Sequence, residues 1–248
     1  MSVLKAIWKG QVADHAIFLA DYAINPLGVR SDAALAEVVS SWLERAAGVS
    51  DTLVIACNTL SIRYEQIFTA GTTDNLGLNV VSMVDCFEAM VRSEVDILEN
   101  RKILVIGTAF TARQPLYAQV VERVLPGAWV DTMAATALER KIARFEDWSG
   151  VEDSALTAEL KTAIGDADVA ILACTCFPMV KADLETLFPD VVFLDPGAYC
   201  SELITGHRKA RQKRLSLEVT GNEVPAAKVI SFARSYLDEN SIDLYGSH

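Results

Sequence analysis

The residues best suited to chemistry in this 248-residue chain sit in two near-repeated runs. Residues 53–61 read LVIACNTLS, and residues 170–178 read AILACTCFP. Each is an apolar run that ends in alanine, then cysteine, then a short polar stretch containing threonine. An apolar run closed by turn residues is the pattern of a strand buried on both faces. Ligands of open α/β sheets bind just beyond the carboxyl ends of such strands. Cys57 and Cys174 fall at two of those ends. Asn58 and Thr59 follow the first, and Thr175 the second, in turns leading to helices. Backbone N–H groups and hydroxyls there can hold a carboxylate, because a helix N-terminus favours anions. The same field stabilises a thiolate, so both thiols are expected to ionise below the usual pKa of about 8.5.

One cysteine at a strand end is equally well explained as a small core hydrophobe. Two, each at a strand-to-helix turn and each followed by Asn or Thr donors, point to chemistry. Cys86 and Cys200 lack that context and read as structural. Two opposed thiols suit the inversion of a carbon that bears a weakly acidic proton. One removes the proton from one face, the other delivers a proton to the opposite face, and the roles exchange for the other enantiomer. No GxGxxG or Walker-type glycine loop is present, so no cofactor is called for. Cys174 and Cys176 are only two apart with no histidine nearby in sequence, so no metal site is expected.

These cysteines need elements to carry them. Apolar runs occur at 16–20, 53–57, 79–83, 102–108, 128–133, 168–174 and 191–195. Most are apolar at successive positions, the signature of parallel strands covered by helices on both sides. Amphipathic stretches alternate with them. Ser31 can cap a helix whose apolar positions are Leu35, Val38, Val39, Trp42, Leu43 and Ala46, with Gly48 at its end. Similar spacing marks 116–125, 156–164, 180–188 and 229–237. The chain therefore reads as an α/β protein of βα units.

Bulk properties narrow the partners. Net charge is −11, which argues against nucleic acid or an anionic membrane surface. The basic run at 207–214, HRKARQKR, reads as a helix end and a solvated turn. No run approaches the ~18 apolar residues of a membrane span, and no signal peptide is evident, so a cytoplasmic protein with five free thiols is expected.

The ordered motifs resemble the aspartate/glutamate racemase family, nearest its cofactor-independent glutamate racemases. Cys57-Asn58-Thr59-Leu60-Ser61 matches that family's CNTxS element, and Cys174-Thr175-Cys176-Phe177-Pro178 resembles its CTHYP element. DYAINPLGVRS at 21–31 resembles GDTARVPYGTRS, with Asp21, Pro26 and Gly28 kept and Leu27 where tyrosine is usual. Gly107, Thr108, Thr111 and Tyr117 resemble its GTxxT…Y segment, residues 195–198 its DSGA, and 219–221 its last strand.

The resemblance implies two pseudo-symmetric α/β lobes with parallel sheets flanked by helices and substrate in the cleft between them. Residues 1–90 and 199–248 would form one lobe and 91–198 the other. It implies a cofactor-independent racemase of an acidic amino acid, glutamate first and aspartate second, and it suggests a homodimer. Cys57 and Cys174 would be the acid/base thiols. Asn58, Thr59, Pro26, Leu27, Gly28, Thr108, Thr111 and Thr175 would bind substrate.

Two departures stand out. Residues 1–7 already resemble the helix that follows the family's first strand and its FDSGxGG loop, so that strand and loop are expected to be absent from this sequence. A rival assignment makes residues 3–8 the first strand. Cys176 stands where the family has histidine, as a possible assisting group. These changes favour two other readings: a decarboxylase, isomerase or hydantoin-type racemase on the same scaffold, or a degenerate binding protein.

Overall fold

The computed structural model describes residues 1–25, 27–68, 74–143, 158, 160–162, 164–204, 214–221, 224–238 and 242–244. All seven apolar runs form strands, and among the described residues every strand pairing is parallel. In chain order the larger elements are α1 (Ser2–Gly10), β1 (His15–Asp21), α2 (Asp32–Ala47), β2 (Thr52–Ile55), α3 (Asn58–Ile67), β3 (Asn79–Ser82), α4 (Met83–Ser93), α5 (Val95–Leu98) and β4 (Lys102–Gly107). They continue with α6 (Leu116–Val124), β5 (Trp129–Ala134), α7 (Thr136–Ala143), β6 (Val169–Ala173), α8 (Lys181–Leu187), β7 (Val192–Leu194), α9 (Cys200–Leu203), β8 (Arg214–Thr220), α10 (Ala226–Leu237) and β9 (Ile242–Leu244). No helix among the described residues is long and apolar enough to cross a membrane.

One sheet has the order β5-β4-β6-β7. Its inner strands are apolar throughout because both faces are covered. On β4, Ile103 and Val105 face Phe87, Tyr117 and Val121 of α4 and α6, while Leu104 and Ile106 face Leu138, Ile142 and Leu184 of α7 and α8. β6 alternates likewise, with Val169, Ile171 and Ala173 on the α4/α6 side and Ala170, Leu172 and Cys174 on the α7/α8 side. That two-residue period fixes which way Cys174 points. Residues 156–164 lie partly outside the described residues, but Leu160 and Ile164 are buried in this core.

The remaining strands form two smaller sheets, β2-β3 and β1-β8-β9. Ser31 caps α2 as expected, its hydroxyl accepting from the Ala34 N–H at 3.3 Å. Ser82 and Asp85 close a reciprocal cap on α4. Residues 3–8 are helix, not strand: Val3 and Ile7 pack with Val54 and Val81, while Leu4 and Trp8 pack with Ala16, Phe18, Leu215 and Leu217. Spacings of three and four put both pairs on usable faces of one helix. Cys86 and Cys200 are fully buried beneath α1 and hydrogen-bonded to each other, which fits their structural reading.

β8 was expected only from its last residues. Its apolar positions alternate, Leu215, Leu217 and Val219, with Glu218 pointing the other way, so it lacks the continuous run of the other strands. The basic run at 207–214 lies outside the described residues except Arg214, which starts β8.

Candidate active site

Both cysteine-tipped turns open on one cavity of about 1800 Å³. Cys57, Asn58, Thr59, Thr108, Cys174, Thr175 and Cys176 all line it. Leu27 and Gly28, in a 3-10 turn at Leu27–Val29, border it too. Pro26 lies outside the described residues.

The turns are tied across the sheets. The Thr175 hydroxyl donates to the Ala56 carbonyl at 3.1 Å, next to Cys57 in sequence. Buried Asn58 accepts through Oδ1 from the Tyr117 hydroxyl of α6. Its Nδ2 is buried and has no hydrogen-bond partner. An unpaired buried amide costs about 1–3 kcal/mol, so it marks a place where an acceptor belongs.

Three threonines from two turns, Thr59 at the start of α3 and Thr108 and Thr111 after β4, meet beside it. Thr59 Oγ1 lies 3.0 Å from Thr108 Oγ1 and 3.4 Å from Thr111 Oγ1, and the last two are 3.1 Å apart. Thr59 and Thr108 border the cavity, whereas Thr111 is buried behind them, off its wall. Thr111 sits there because residue 107 is glycine. A Cβ at Gly107 would stand 2.8 Å from Thr111 Cγ2 and 2.9 Å from its Cβ. We expect Gly107→Ala to displace Thr111 and loosen the triangle, lowering stability by about 1–3 kcal/mol on the scale of an overpacked core. Thermal melting together with the loss of kcat/KM would check it; an unchanged melt would show that the contact relaxes freely.

The electrostatics correct one expectation. Cys57 caps α3 in extended conformation, and the backbone N–H groups of Thr59 and Leu60 favour its thiolate. Burial nevertheless outweighs them and pushes its pKa up to about 11. Cys174 is also raised, first because its S–H is hydrogen-bonded to Cys176 and second by burial. Cys176 is lowered by that same hydrogen bond. Of the three thiols Cys176 is therefore the one whose ionisation its surroundings favour, and the helix-terminus field does not outweigh burial at Cys57.

Sequence patterns did not single out Glu139. It stands on α7, lines the cavity, is half-buried, and has its carboxyl pKa raised by burial. It belongs to no motif, and only the fold brings it beside Cys57 and Cys176, whose thiols feel its charge. Asp195 is held near pKa 6 by burial while accepting from the Gly197 N–H at 2.8 Å, capping a 3-10 turn. Among the described residues, no three His, Cys, Asp or Glu side chains gather where they could hold a metal ion.

The family described as Asp/Glu/Hydantoin racemase matches residues 15–202. A glutamate racemase of Glaesserella parasuis serovar 5 (strain SH0165) is 25% identical over 202 residues, covering 79% of this chain and 73% of that protein. One from Actinobacillus pleuropneumoniae serotype 5b (strain L20) is 26% identical over 203 residues, with the same coverage. Among solved structures, glutamate racemase isoform RacE1 from Bacillus anthracis superposes with a TM-score of 0.77 at 20% identity, covering 99% of this chain and 92% of that one. Escherichia coli glutamate racemase, in complex with L-glutamate and the activator UDP-MurNAc-ala, superposes with a TM-score of 0.75 at 19% identity, covering 99% and 93%. The two-lobed α/β fold is common to them.

Proposed function

This chain belongs to the Asp/Glu/hydantoin racemase family, and from that premise we propose that it racemises glutamate without a cofactor, through Cys57 and Cys174. The observation that carries the reading is the convergence of two strand-end thiols on one cavity beside the unpaired Asn58 amide. The names of its relatives favour glutamate as substrate, and aspartate, one methylene shorter, is the second candidate.

In this reading the substrate carboxylate accepts from Asn58 Nδ2 and from the hydroxyls of Thr59 and Thr108. One thiolate takes the Cα proton, leaving a carbanion whose charge spreads into that carboxylate. The opposite thiol donates its proton to the other face. The substrate is inverted, and the two sulfurs have exchanged protonation states. Raised thiol pKa values suit this step. A sulfur that holds its proton tightly is a stronger base once ionised, and Brønsted behaviour rewards that against a weak carbon acid. The substrate ammonium, arriving as a cation, favours the thiolate in the complex. Thr175 holds the two turns together, Thr111 supports Thr59 and Thr108, and Leu27 and Gly28 border the substrate.

Residues 1–90 and 199–248 form one lobe in this reading and 91–198 the other. That division is supported by the four-stranded sheet, whose strands all fall between Lys102 and Leu194. Cys176 in place of the family's histidine favours one second reading, in which the same scaffold decarboxylates or isomerises another small carboxylic acid. Assays of CO2 release and cis–trans isomerisation separate the two.

The test is incubation of the folded protein with L- and D-glutamate in deuterated buffer, read by chiral chromatography and mass spectrometry. Deuterium should enter Cα as each enantiomer converts to the other. Absence of Cα deuterium from both enantiomers would sink the proposal.

A further inference from the structure

Two pairs of thiols are hydrogen-bonded in this fold, Cys86 with Cys200 and Cys174 with Cys176. Access separates them. Cys86 and Cys200 are wholly buried, sealed among Val3, Val81, Met83 and Ile204, and neither borders the cleft. Cys174 and Cys176 both line the cleft, and Cys176 is partly exposed to it. A small neutral molecule entering the cleft therefore meets the second pair and not the first.

The backbone holds the second pair at bonding range. The Phe177 N–H donates to the Cys174 carbonyl at 2.9 Å, so Cys174 and Cys176 are the first and third residues of a hydrogen-bonded turn. Cys176 is in the αR conformation there. In such a turn two Cα–Cα links of about 3.8 Å bend to span roughly 5–6 Å. A disulfide closes over Cα separations of about 4.4–6.8 Å. The residue between the cysteines is pinned from two sides. The Thr175 hydroxyl donates to the Ala56 carbonyl at 3.1 Å, and the Thr175 carbonyl accepts from the Ser2 hydroxyl at 2.7 Å. The turn thus keeps both sulfurs on one side of the chain, already in contact through the Cys174 S–H.

The two sulfurs are also unequal in the way that sequential oxidation needs. A thiolate, not a thiol, attacks an oxidant. The hydrogen bond from Cys174 favours the Cys176 thiolate. Cys57, across the cleft, is held protonated by burial, with its pKa near 11. Cys176 is therefore the thiol of the cleft poised to react, and Cys174 waits beside it to resolve the product. An accessible, readily ionised cysteine next to a resolving one is the arrangement that makes thiol oxidation reversible.

We propose that Cys174 and Cys176 are a peroxide-sensitive dithiol, closed to a disulfide by oxidation and reopened by small thiols. In the first step the Cys176 thiolate attacks a peroxide oxygen. An S–O bond forms and the O–O bond breaks. The departing hydroxide is neutralised by the proton that Cys176 had released. In the second step the Cys174 sulfur attacks the Cys176 sulfenic acid. The S–S bond forms, the S–O bond breaks, and the hydroxide takes the Cys174 proton as water. Two thiols have lost two electrons in all, and one hydrogen peroxide has become two waters. Two small thiols reverse the change by exchange, becoming a disulfide themselves. The consequence for catalysis rests on the racemase reading: the closed pair has no Cys174 thiol left to give or take a proton, so oxidation turns the site off.

The test treats the folded protein with hydrogen peroxide at neutral pH, alkylates it with iodoacetamide in denaturant, and digests it with trypsin. Cleavage after Lys161 and Lys181 leaves a peptide that holds Cys174 and Cys176 and no other cysteine. That peptide should be lighter by two hydrogen atoms and take up no iodoacetamide, while Cys57, Cys86 and Cys200 alkylate fully. Dithiothreitol should restore it. Phenylarsine oxide, which bridges two thiols with loss of water, should bind the same pair and block the oxidation. In Cys174→Ser the reaction should stop at the Cys176 sulfenic acid, captured by dimedone. In Cys176→Ser peroxide should oxidise Cys174 at least about tenfold more slowly. Racemisation should fall in step with the closed fraction, by more than about tenfold at completion, and return with dithiothreitol. A bond from Cys176 to Cys57, oxidation of Cys176 past the sulfenic acid with Cys174 still alkylated, or a peptide left reduced by peroxide that oxidises free glutathione would each overturn the proposal. A disulfide in a protein that never racemises glutamate would leave this site standing and remove the racemase reading. Racemisation by a protein whose peptide stays reduced would do the reverse.

Discussion

Cys57→Ser and Cys174→Ser should each lower glutamate racemisation by about 10³-fold or more, because a hydroxyl in either position is too weak an acid to be ionised near neutrality. Racemisation has an equilibrium constant of one, so kcat/KM must fall equally in the two directions whichever cysteine is lost. Exchange of the Cα proton with solvent is not bound by that symmetry. With Cys174 gone, Cys57 can still remove the proton that faces it and return a deuteron to the same face. One enantiomer then gains deuterium without inverting, and the other does not. Cys57→Ser should show the opposite preference. The double variant should lose no more racemisation than either single one, because the thiols act as a unit. Both residues line the same cavity, and circular dichroism should show the fold retained. Retention of racemisation within tenfold in either single variant would remove that cysteine from the mechanism.

Sequence patterns carried the framework further than the chemistry, for physical reasons. β4 and β6 are buried on both faces, so their apolar runs are continuous and stand out in one dimension. β8 alternates Ser216 and Glu218 with its apolar positions, and a search for continuous runs passes over most of it. Cys57 and Cys174 were legible because each closes such a run. The Asn58–Tyr117 hydrogen bond joins residues 59 positions apart, and Glu139 enters from a helix with no motif, so neither contact has a spacing to read. Ionisation was the least legible. The helix-terminus field that favours a thiolate at Cys57 follows from local sequence, but the burial that overrides it depends on how the sheets and helices close around the cleft.

Cys176→Ala is expected to reduce racemisation about 10²-fold, within the range that positioned proton transfer contributes. In the present arrangement Cys174 is a thiol that donates to Cys176, which raises the one and lowers the other. Above the lowered Cys176 pKa the pair carries one negative charge, on Cys176. When Cys174 acts as acid its proton is already in place. When it acts as base, its proton must first pass to Cys176, restoring a thiolate at the reacting sulfur. Alanine removes that acceptor and leaves burial to hold the Cys174 proton, so the acid limb of the rate profile should move to higher pH. A merely structural role predicts lower stability with an unmoved pH profile. Cys176→Ser separates the two accounts further: a serine hydroxyl can keep the hydrogen bond but cannot ionise, so it should recover the melting temperature and not the rate. Alkylation gives an independent reading. Of the thiols lining the cavity, Cys176 should react first with iodoacetamide near neutral pH, and Cys57, held near pKa 11, only as the solution becomes strongly alkaline. If Cys57 reacts first, the charge does not rest on Cys176, and the relay through it fails.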